Sequence, residues 1–426
     1  MKRLIAALSA TLIATLSATG GAQASPITQP TVVSDDPADF TPHVIANTAD
    51  DKLAVYKMTQ VGTTMFAGGA FTQIQDTARA VTYDRAGLFS FDPLTGAVNP
   101  LSVTMDGAVW AIASDGNSLY VGGTFTMVNG LARKGLVKIN MVTGAVDTAF
   151  DAQLNGTVRE AQVVSGRLIV AGDFRKRLQA VDLVTGADTQ YIKLKIEGDV
   201  DGPGGWDPRV YRFAVNPAAT RLVAVGNFLT AKGDSHPRAL MVNLGASAAK
   251  LSSWYYQPLE RVCAHKTALD YLRDVDFSPD GTFFVIVSSG YVPLLESEIG
   301  TSLCDAAARF ETTNLAPSVP TWINYTGGDT LHSTTVTTAA VYVQGHNRYL
   351  NNPEGRGATC TGLCVPRPGI GAIDPTSGLA LDWNPTKDRG EGGKDLLLTT
   401  QGLWVPSDTD TIGGEQHDRV ALLPAT

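Results

Sequence analysis

The residues that could carry chemistry are concentrated in the last quarter of the chain, in polar segments between apolar runs. No Gly-x-Ser-x-Gly elbow, phosphate loop or dinucleotide fingerprint is present. The mixture of carboxylates, imidazoles and guanidiniums could bind a glycan or a peptide, or supply a glycosidase with two carboxylates. The same side chains could instead hold their own loops together through ion pairs and Asx turns. The binding candidates are Asp329, His332, His346, Arg348, Arg356, Asp388 and Arg389, and the hydrolase candidates are Asp329, Asp388, Glu391 and Asp408.

Two acidic segments have spacings that resemble calcium loops, Asp199 to Gly202 and Asp408 to Glu415. Neither matches an EF-hand, which needs further ligands and its own glycine. The six histidines form no His-x-x-x-His or comparable pair, so a zinc or copper enzyme is not expected. We expect no cofactor and no metal, with calcium as the alternative at these two segments.

The N-terminus predicts export. A basic start at Lys2 and Arg3, an apolar run from Leu4 to Leu16 and the small residues Ala22 and Ala24 are typical of a signal peptide, cleaved after Ala24. Residues 25–37 are then a flexible mature N-terminus, and no later segment is apolar enough to span a membrane. The net charge of −8 argues against nucleic acid as a partner. We expect a secreted bacterial monomer.

Internal repeats indicate the fold. Phe71, Phe125, Phe174 and Phe228 close similar apolar runs and lie 54, 49 and 54 residues apart. After each of the first three runs comes a polar stretch and then a second strand that ends in a turn of the type Asp/Asn-x-x-x-Gly. Looser copies of the apolar run continue to the C-terminus, which gives seven copies of the repeat. A period near 50 with four short strands per copy is what a propeller blade needs. Residues 38–426 are therefore predicted to form one all-β domain, a seven-bladed β-propeller with four-stranded blades.

Closure of the ring is predicted from the two ends of the domain. The last blade stops after its third strand, Arg419 to Pro424. The segment from Asp39 to Val44 resembles Asp382-Trp383-Asn384-Pro385 in its aromatic residue and proline. We expect this N-terminal segment to supply the missing fourth strand, which removes an exposed sheet edge.

The repeats also carry a family resemblance. The chain resembles a group of secreted bacterial β-propellers of unknown function that have Gly-Gly-x-Phe-Thr blade repeats. The residues that carry the resemblance are these repeats, Asp276-Phe277-Ser278-Pro279-Asp280-Gly281, Thr326 to Thr330 and Trp383-Asn384-Pro385. The resemblance covers essentially the whole mature chain, and the repeat itself is similar to one in fungal cell-surface polarity markers. It implies the fold and export, and it implies no activity.

The loops of such a fold divide into two faces. Links between strands one and two are tight turns, whereas nearly every long segment falls on the opposite face, which we call the long-loop face. All four cysteines lie there, and we expect disulfides between Cys263 and Cys304 and between Cys360 and Cys364. Long loops on a rigid scaffold favour a binding module for a glycan or a protein. The alternatives are a carbohydrate-active hydrolase or lyase and a purely structural surface protein. The long segments are Ile196 to Pro208, Pro258 to Ala268, Gly290 to Cys304, Gly345 to Pro368 and Ser407 to His417.

Overall fold

A computed structural model describes residues 27–45, 53–199, 207–264 and 271–426. The predicted signal peptide lies outside these residues. Within them lie seven antiparallel sheets of the same design. In each sheet, every strand is hydrogen-bonded to the next strand of that sheet along the chain. We number them one to seven in chain order. Their strands are Ala54–Val61, Thr64–Ala70 and Leu88–Phe91; Val109–Ser114, Ser118–Gly123 and Leu136–Asn140; Val158–Val164, Arg167–Gly172 and Leu178–Val181; Val210–Val215, Arg221–Gly226, Ala239–Leu244 and Ala249–Leu251; Leu272–Phe277, Phe283–Ser288, Ala306–Glu311 and Trp322–Tyr325; Leu331–Val336, Val341–Gly345 and Ile370–Ile373; Leu397–Thr399, Gly402–Pro406 and Val420–Pro424.

Short additional strands lie outside these sheets, in the loops and links. They pair among themselves as small ladders, and two 3-10 turns accompany them. The strands are His43–Ile45, Gln73–Gln75, Thr82–Asp84, Met127–Val128, Leu131–Ala132, Ile196–Asp199, Phe228–Ala231, Asp234–Ser235, Tyr349–Leu350, Val365–Pro366, Thr411–Ile412 and Glu415–Gln416, and the turns are Gln257–Glu260 and Glu296–Glu298.

The core lies between successive sheets. Second strands such as Phe283–Ser288 are buried on both faces, which explains why they read as continuous apolar runs rather than as alternating ones. The phenylalanines of the repeat are buried between sheets; Phe125, for example, packs among residues of sheets one and two. Sheet seven packs on sheet one in the same way, because Trp404 and Leu422 share a cluster with Phe91.

The repeated turn follows the third strand of its sheet. In sheet one, Oδ1 of Asp92 accepts hydrogen bonds from the backbone N–H groups of Leu94 (2.8 Å) and Thr95 (3.1 Å). Gly96 closes the turn with φ of 71°, a conformation that favours glycine. An isolated bridge between Phe91 and Val98 then begins a fourth, outer strand.

The predicted place of the N-terminal segment is wrong. The backbone N–H groups of Ser34 and Ala38 donate to the carbonyl oxygens of Pro424 (2.8 Å) and Leu422 (2.9 Å), so residues 34–38 lie along the last strand of sheet seven. The predicted segment 39–44 comes after this contact. Its end belongs to the strand His43–Ile45, which pairs with Gln73–Gln75 in the loop of sheet one.

The misplacement arises from the aromatic-proline motif used to align the two segments. In sheet six the fourth strand is marked by the bridge between Ile373 and Ala380, and the motif at Trp383 and Pro385 lies after it. The motif therefore marks the exit from the outer strand. Phe40 and Pro42 stand in the corresponding position, and the strand-like segment precedes them.

In each of sheets one to six, a β-bulge interrupts the first strand one or two residues after the strand begins. In sheet one, Val55 pairs with Gly69 and Lys57 with Gly68, which leaves Tyr56 between them without a partner. A Cβ on Gly69 would lie 2.0 Å from the carbonyl oxygen of Ala54, so the bulge requires glycine there. The same close approach is found at Gly123, Gly172, Gly226 and Gly345. Bulges redirect side chains, and these six lie at corresponding positions in successive sheets.

Candidate functional site

The long loops and the links between sheets meet at the same end of the sheets. The first strand of a sheet begins next to the residue at which the second strand of the same sheet ends. In sheet one, for example, Ala54 at the start of the first strand pairs with Ala70 at the end of the second. In sheet five, the entering link contacts the long loop directly, because Ala264 N–H donates to the carbonyl oxygen of Val292 at 2.8 Å. In sheet seven, Asp388 N–H donates to that of Thr411 at 3.1 Å. The predicted long-loop face is therefore a physical surface of the described residues.

Both predicted cysteine pairs lie at disulfide distance on this face. Cys263 in the link entering sheet five is bonded to Cys304 in that sheet's loop, with Cα atoms 5.8 Å apart. Cys360 and Cys364 close a short turn in the loop of sheet six, with Cα atoms 5.7 Å apart. The bonds hold the loops of these neighbouring sheets in place.

Asp329 is the centre of an ion-pair cluster that gathers four of the predicted binding residues. Its carboxylate is almost fully buried, and Oδ1 accepts hydrogen bonds from Arg348 Nη1 at 2.7 Å and from Arg389 Nη2 at 3.0 Å. Oδ2 accepts the backbone N–H of Arg348 at 3.0 Å, and His346 Nε2 lies 3.9 Å from Oδ1. The cluster joins the loop of sheet six to the link that enters sheet seven.

The three remaining predicted binding residues are not ion-paired with Asp329, although the His332 ring lies 6.1 Å from the ring of His346 in the cluster. His332 is buried in the first strand of sheet six, where burial lowers the pKa of its imidazole well below the usual value. Asp388 is exposed, and its backbone carbonyl accepts a hydrogen bond from Lys387 Nζ at 2.7 Å. Arg356 is exposed on the loop of sheet six.

The carboxylates of the hydrolase alternative are held in different ways. Asp408 accepts the backbone N–H of Glu391 at 2.6 Å and that of Gly392 at 3.3 Å, so its carboxylate orders the link before sheet seven. The side chain of Glu391 is exposed. Asp329 is occupied by its arginines, as described above.

The candidate calcium segments show protein partners where they are described. Asp410 forms an ion pair with Arg419 at 2.9 Å, and Glu415 one with His417 at 3.3 Å. In the part of the chain that the structure describes, no group of three or more His, Cys, Asp or Glu residues could hold a metal ion. Most of the other segment, Asp199 to Gly202, lies outside the described residues.

A cleft of about 600 Å³ opens between the loops of sheets five and six. We call it the loop cleft. One wall comes from residues 292–299 and the other from residues 353–361. Sequence reasoning named Arg356 as a candidate residue, whereas it identified the opposite wall only as part of the long segment Gly290 to Cys304. Its lining includes the apolar Val292, Leu295, Ile299 and Pro353 and the charged Glu296, Glu354 and Arg356.

Buried side chains hold both walls of the loop cleft in place through hydrogen bonds to the backbone. The fully buried Asn352 donates from Nδ2 to the carbonyl of Thr359 at 2.9 Å, and its Oδ1 accepts the N–H of Thr361 at 3.1 Å. On the other side, the Tyr325 hydroxyl accepts the N–H of Gly300 at 2.9 Å and donates to the carbonyl of Ser302 at 2.8 Å. The cleft is therefore preformed, which lowers the entropic cost of binding.

Comparison with known proteins identifies the fold. Residues 114–150 match a family described as a domain of unknown function (DUF5122) beta-propeller. No curated protein matches the chain by sequence. Among solved structures, the crystal structure of RRP9 WD40 repeats has a TM-score of 0.52 at 10% identity, covering 92% of this chain and 99% of that chain. The chain is a β-propeller.

Two further structures agree with this assignment. The structure of U3-55K gives a TM-score of 0.51 at 9% identity, covering 90% of this propeller and 98% of that chain. The hydrazine synthase of Kuenenia stuttgartiensis gives 0.50 at 11% identity, covering 88% and 98%. Identities this low establish the fold alone. Within the described residues, the propeller has no helix long and apolar enough to cross a membrane.

Sequence reasoning missed the charged network between the first strands of the propeller. Lys57 Nζ lies 3.3 Å from Glu160 Oε2 and 3.1 Å from Asp395 Oδ1, which joins sheets one, three and seven. Arg212 of sheet four lies 3.5 Å from the same Glu160 oxygen. Burial raises the pKa of Asp274 to about 8, although Arg212 and a backbone N–H oppose the shift. The signal in the sequence is a charged residue directly after the bulge of an apolar first strand.

Proposed function

We propose that the chain is a secreted bacterial propeller of seven blades that works outside the cell as a protein-interaction module. The seven sheets are its blades, and residues 34–38 supply the outer strand of blade seven. Packing of Trp404 against Phe91 between the last and first sheets supports a closed ring. The disulfides support an oxidising compartment. The ring provides a rigid base, and the long-loop face provides the contact surface.

The loop cleft is the observation that carries the binding role. Its volume of about 600 Å³ lies in the range typical of ligand sites, roughly 300–1,000 Å³. Leu294 and Leu295 are 53% and 56% exposed beside it, and Leu363 is 79% exposed on the loop of blade six. Exposed leucines next to a preformed cleft favour burial against a partner.

A protein partner fits the cleft better than a glycan or a hydrolysed substrate. The apolar lining is aliphatic, with Glu296, Glu354 and Arg356 as the charged groups. This combination suits an extended segment that inserts an apolar side chain and pairs charges at the rim. Of the four carboxylates of the hydrolase alternative, Asp329 and Asp408 are committed to internal hydrogen bonds. Asp388 and Glu391 are exposed, but neither lines the loop cleft.

A binding selection tests the proposal. The mature protein, residues 25–426, is used to select ligands from a displayed random-peptide library and is also applied to a glycan and cell-wall array. We expect peptide ligands whose affinity falls at least tenfold in Leu295→Asp and in Arg356→Glu, because each change places an unsuitable charge in the cleft. Binding that is unchanged in both variants, or binding of glycans alone, contradicts the proposal.

The matched control is Val142→Asp. Val142 is 76% exposed in a tight turn at the opposite end of the sheets, so the substitution adds the same charge as Leu295→Asp to an exposed apolar site away from the loop cleft. Peptide affinity should remain that of the wild type. An equal loss in this variant would attribute the effect to net charge and not to the loop cleft.

A further inference from the structure

A second, separate site lies where the bulges of the first strands come together. We call the six bulge residues the collar. They lie one residue or two from the start of their strands, and therefore at the long-loop end of the channel between the first strands. The collar consists of Tyr56, Trp110, Arg159, Tyr211, Arg273 and His332.

The collar side chains contact one another from blade to blade. Tyr56 stacks on Trp110 with ring centroids 4.1 Å apart and planes 10° from parallel. The guanidinium of Arg159 lies over Trp110 at 5.0 Å and over Tyr211 at 5.4 Å. Nδ1 of His332, the collar residue of blade six, lies 3.4 Å from Nζ of Lys394, which belongs to the link that enters blade seven. These contacts restrict the side chains before any ligand arrives.

The collar surrounds a small cavity of about 80 Å³ whose charged lining is entirely basic. Aromatic rings complete the wall, and no carboxylate side chain belongs to it. The lining consists of Trp110, Arg159, Tyr211, Arg212, Arg273, His332 and Lys394.

Two of the four cations already have a carboxylate partner. Arg159 binds Asp173 through Nε at 2.6 Å and Nη2 at 2.9 Å. Arg212 lies 3.5 Å from Glu160. Their positive charge is offset within the protein, so they contribute shape and secondary hydrogen bonds to the cavity.

The other two cations, Arg273 and Lys394, have no ion-pair partner among the described residues. Arg273 Nε is buried without a hydrogen-bond partner there. The guanidinium instead lies over the Tyr271 ring at 3.8 Å. Among the described carboxyl groups, Asp305 acts on Arg273 through its charge but forms no ion pair with it, and burial raises the pKa of Asp305 although Arg273 opposes the shift. Burial, and then the charge of Arg273, lower the pKa of Lys394 to about 8.

We propose that the collar cavity binds a small oxyanion, a carboxylate or a phosphate, between Arg273 and Lys394. Half-buried cations that have no ion-pair partner among the described residues are costly, and an anion supplies the charge and hydrogen bonds that these residues do not. A volume of about 80 Å³ is roughly that of two or three water molecules, which suits an anionic head group. Trp110 and Tyr211 line the cavity beside these two cations. This site is lined by different residues from the loop cleft and stands independently of the protein-binding role.

Calorimetric titration of the mature protein with phosphate, sulfate and acetate at constant ionic strength tests the proposal. We expect saturable binding, with Kd at least tenfold higher in Arg273→Gln and in Lys394→Gln, because a charge-assisted hydrogen bond contributes about tenfold or more to affinity. Phosphate in preference to acetate identifies a phosphate site, and the reverse identifies a carboxylate site. Lys134→Gln, which removes an exposed lysine from the loop of blade two, should bind as the wild type does.

A pH profile with sulfate provides a second measurement on the wild type, in case Arg273→Gln does not fold. Sulfate keeps its charge above pH 5, so any change in affinity comes from the protein. Affinity should fall above about pH 8 as the Lys394 ammonium deprotonates, and this fall should be absent in Lys394→Gln. Equal affinity in wild type and both collar variants, or no saturable binding of any of the three anions, overturns the proposal. The charged or titratable groups that act on Lys394 are Arg212, Arg273, His332, Glu391 and Asp408.

Discussion

Removal of the Lys57 ammonium should destabilise the ring more than removal of any surface lysine. The side chain is 17% exposed and lies between Glu160 and Asp395, whose side chains are 3% and 10% exposed. Burial lowers the pKa of Lys57, but the two carboxylates outweigh burial and raise it above the usual value. In Lys57→Met, a chain of similar length replaces the ammonium and leaves both carboxylates without it.

The expected magnitude follows from the partners that remain. Removing one member of a buried pair costs about 3–5 kcal/mol when the other charge is left uncompensated. Here Glu160 keeps Arg212 at 3.5 Å, and Asp395 keeps the backbone N–H of Met58 at 3.0 Å. We therefore expect the free energy of unfolding to fall by about 3 kcal/mol, the lower end of that range.

Urea unfolding followed by tryptophan fluorescence at pH 7 measures this change. Lys195→Met serves as the control, because Lys195 is 76% exposed and its pair with Glu197 belongs to the surface class worth about 0–1 kcal/mol. The double variant Lys57→Met with Asp395→Asn should recover part of the loss, since one unpaired charge disappears with the second change. A loss below about 1 kcal/mol in Lys57→Met would refute the role assigned to the network.

Three further predictions concern stability. Burial raises the pKa of Asp274 to about 8, so folding takes up a proton and the free energy of unfolding falls as the pH rises from about 4 to 8. Asp274→Asn should reduce that slope by up to about 1.4 kcal/mol per pH unit, as measured by urea unfolding between pH 5 and 8. An unchanged slope would contradict this prediction. Replacing Cys263 and Cys304 by serine opens a link of 41 residues and should lower the free energy of unfolding by about 4 kcal/mol; a difference under 1 kcal/mol in denaturant unfolding would speak against it. Gly123→Ala places a Cβ 2.1 Å from the carbonyl oxygen of Ala108 and should cost about 1–3 kcal/mol in the same assay, so wild-type stability would show that the bulge can relax.

The repeats made the strands and turns predictable because these features are local. An apolar run ending in Gly-x-Phe must form a buried strand, and Asp92 with Gly96 specifies a turn within five residues. The cysteine pairs also followed from the order of strands, since a link and a loop of one sheet emerge at the same end. The N-terminal segment was misplaced because its motif occurs after an outer strand and not within it.

The candidate site was predictable only as a surface. Asp329 reads as one polar loop residue among many, and its burial beneath Arg348 and Arg389 depends on how two loops meet. A charged residue after the bulge marks single members of the network around Lys57, but it does not pair them, because Glu160 and Asp395 lie 103 and 338 residues further along the chain. Their proximity is a property of the ring, and no local pattern specifies it.

Within the repeat, some positions serve the fold and others vary in a way that the fold does not require. In five of the first six sheets a glycine permits the bulge, and the phenylalanine at the end of the second strand in the first four is buried in the same way each time. The bulge residue itself differs from sheet to sheet: two tyrosines, two arginines, a tryptophan and a histidine occupy equivalent backbone positions. A position that serves packing alone would carry similar side chains in each sheet. The geometry is therefore repeated while the chemistry is not. Five of the six bulge residues line the shared cavity, where Arg273 and Lys394 have no ion-pair partner among the described residues, and the proposed anion site accounts for the difference.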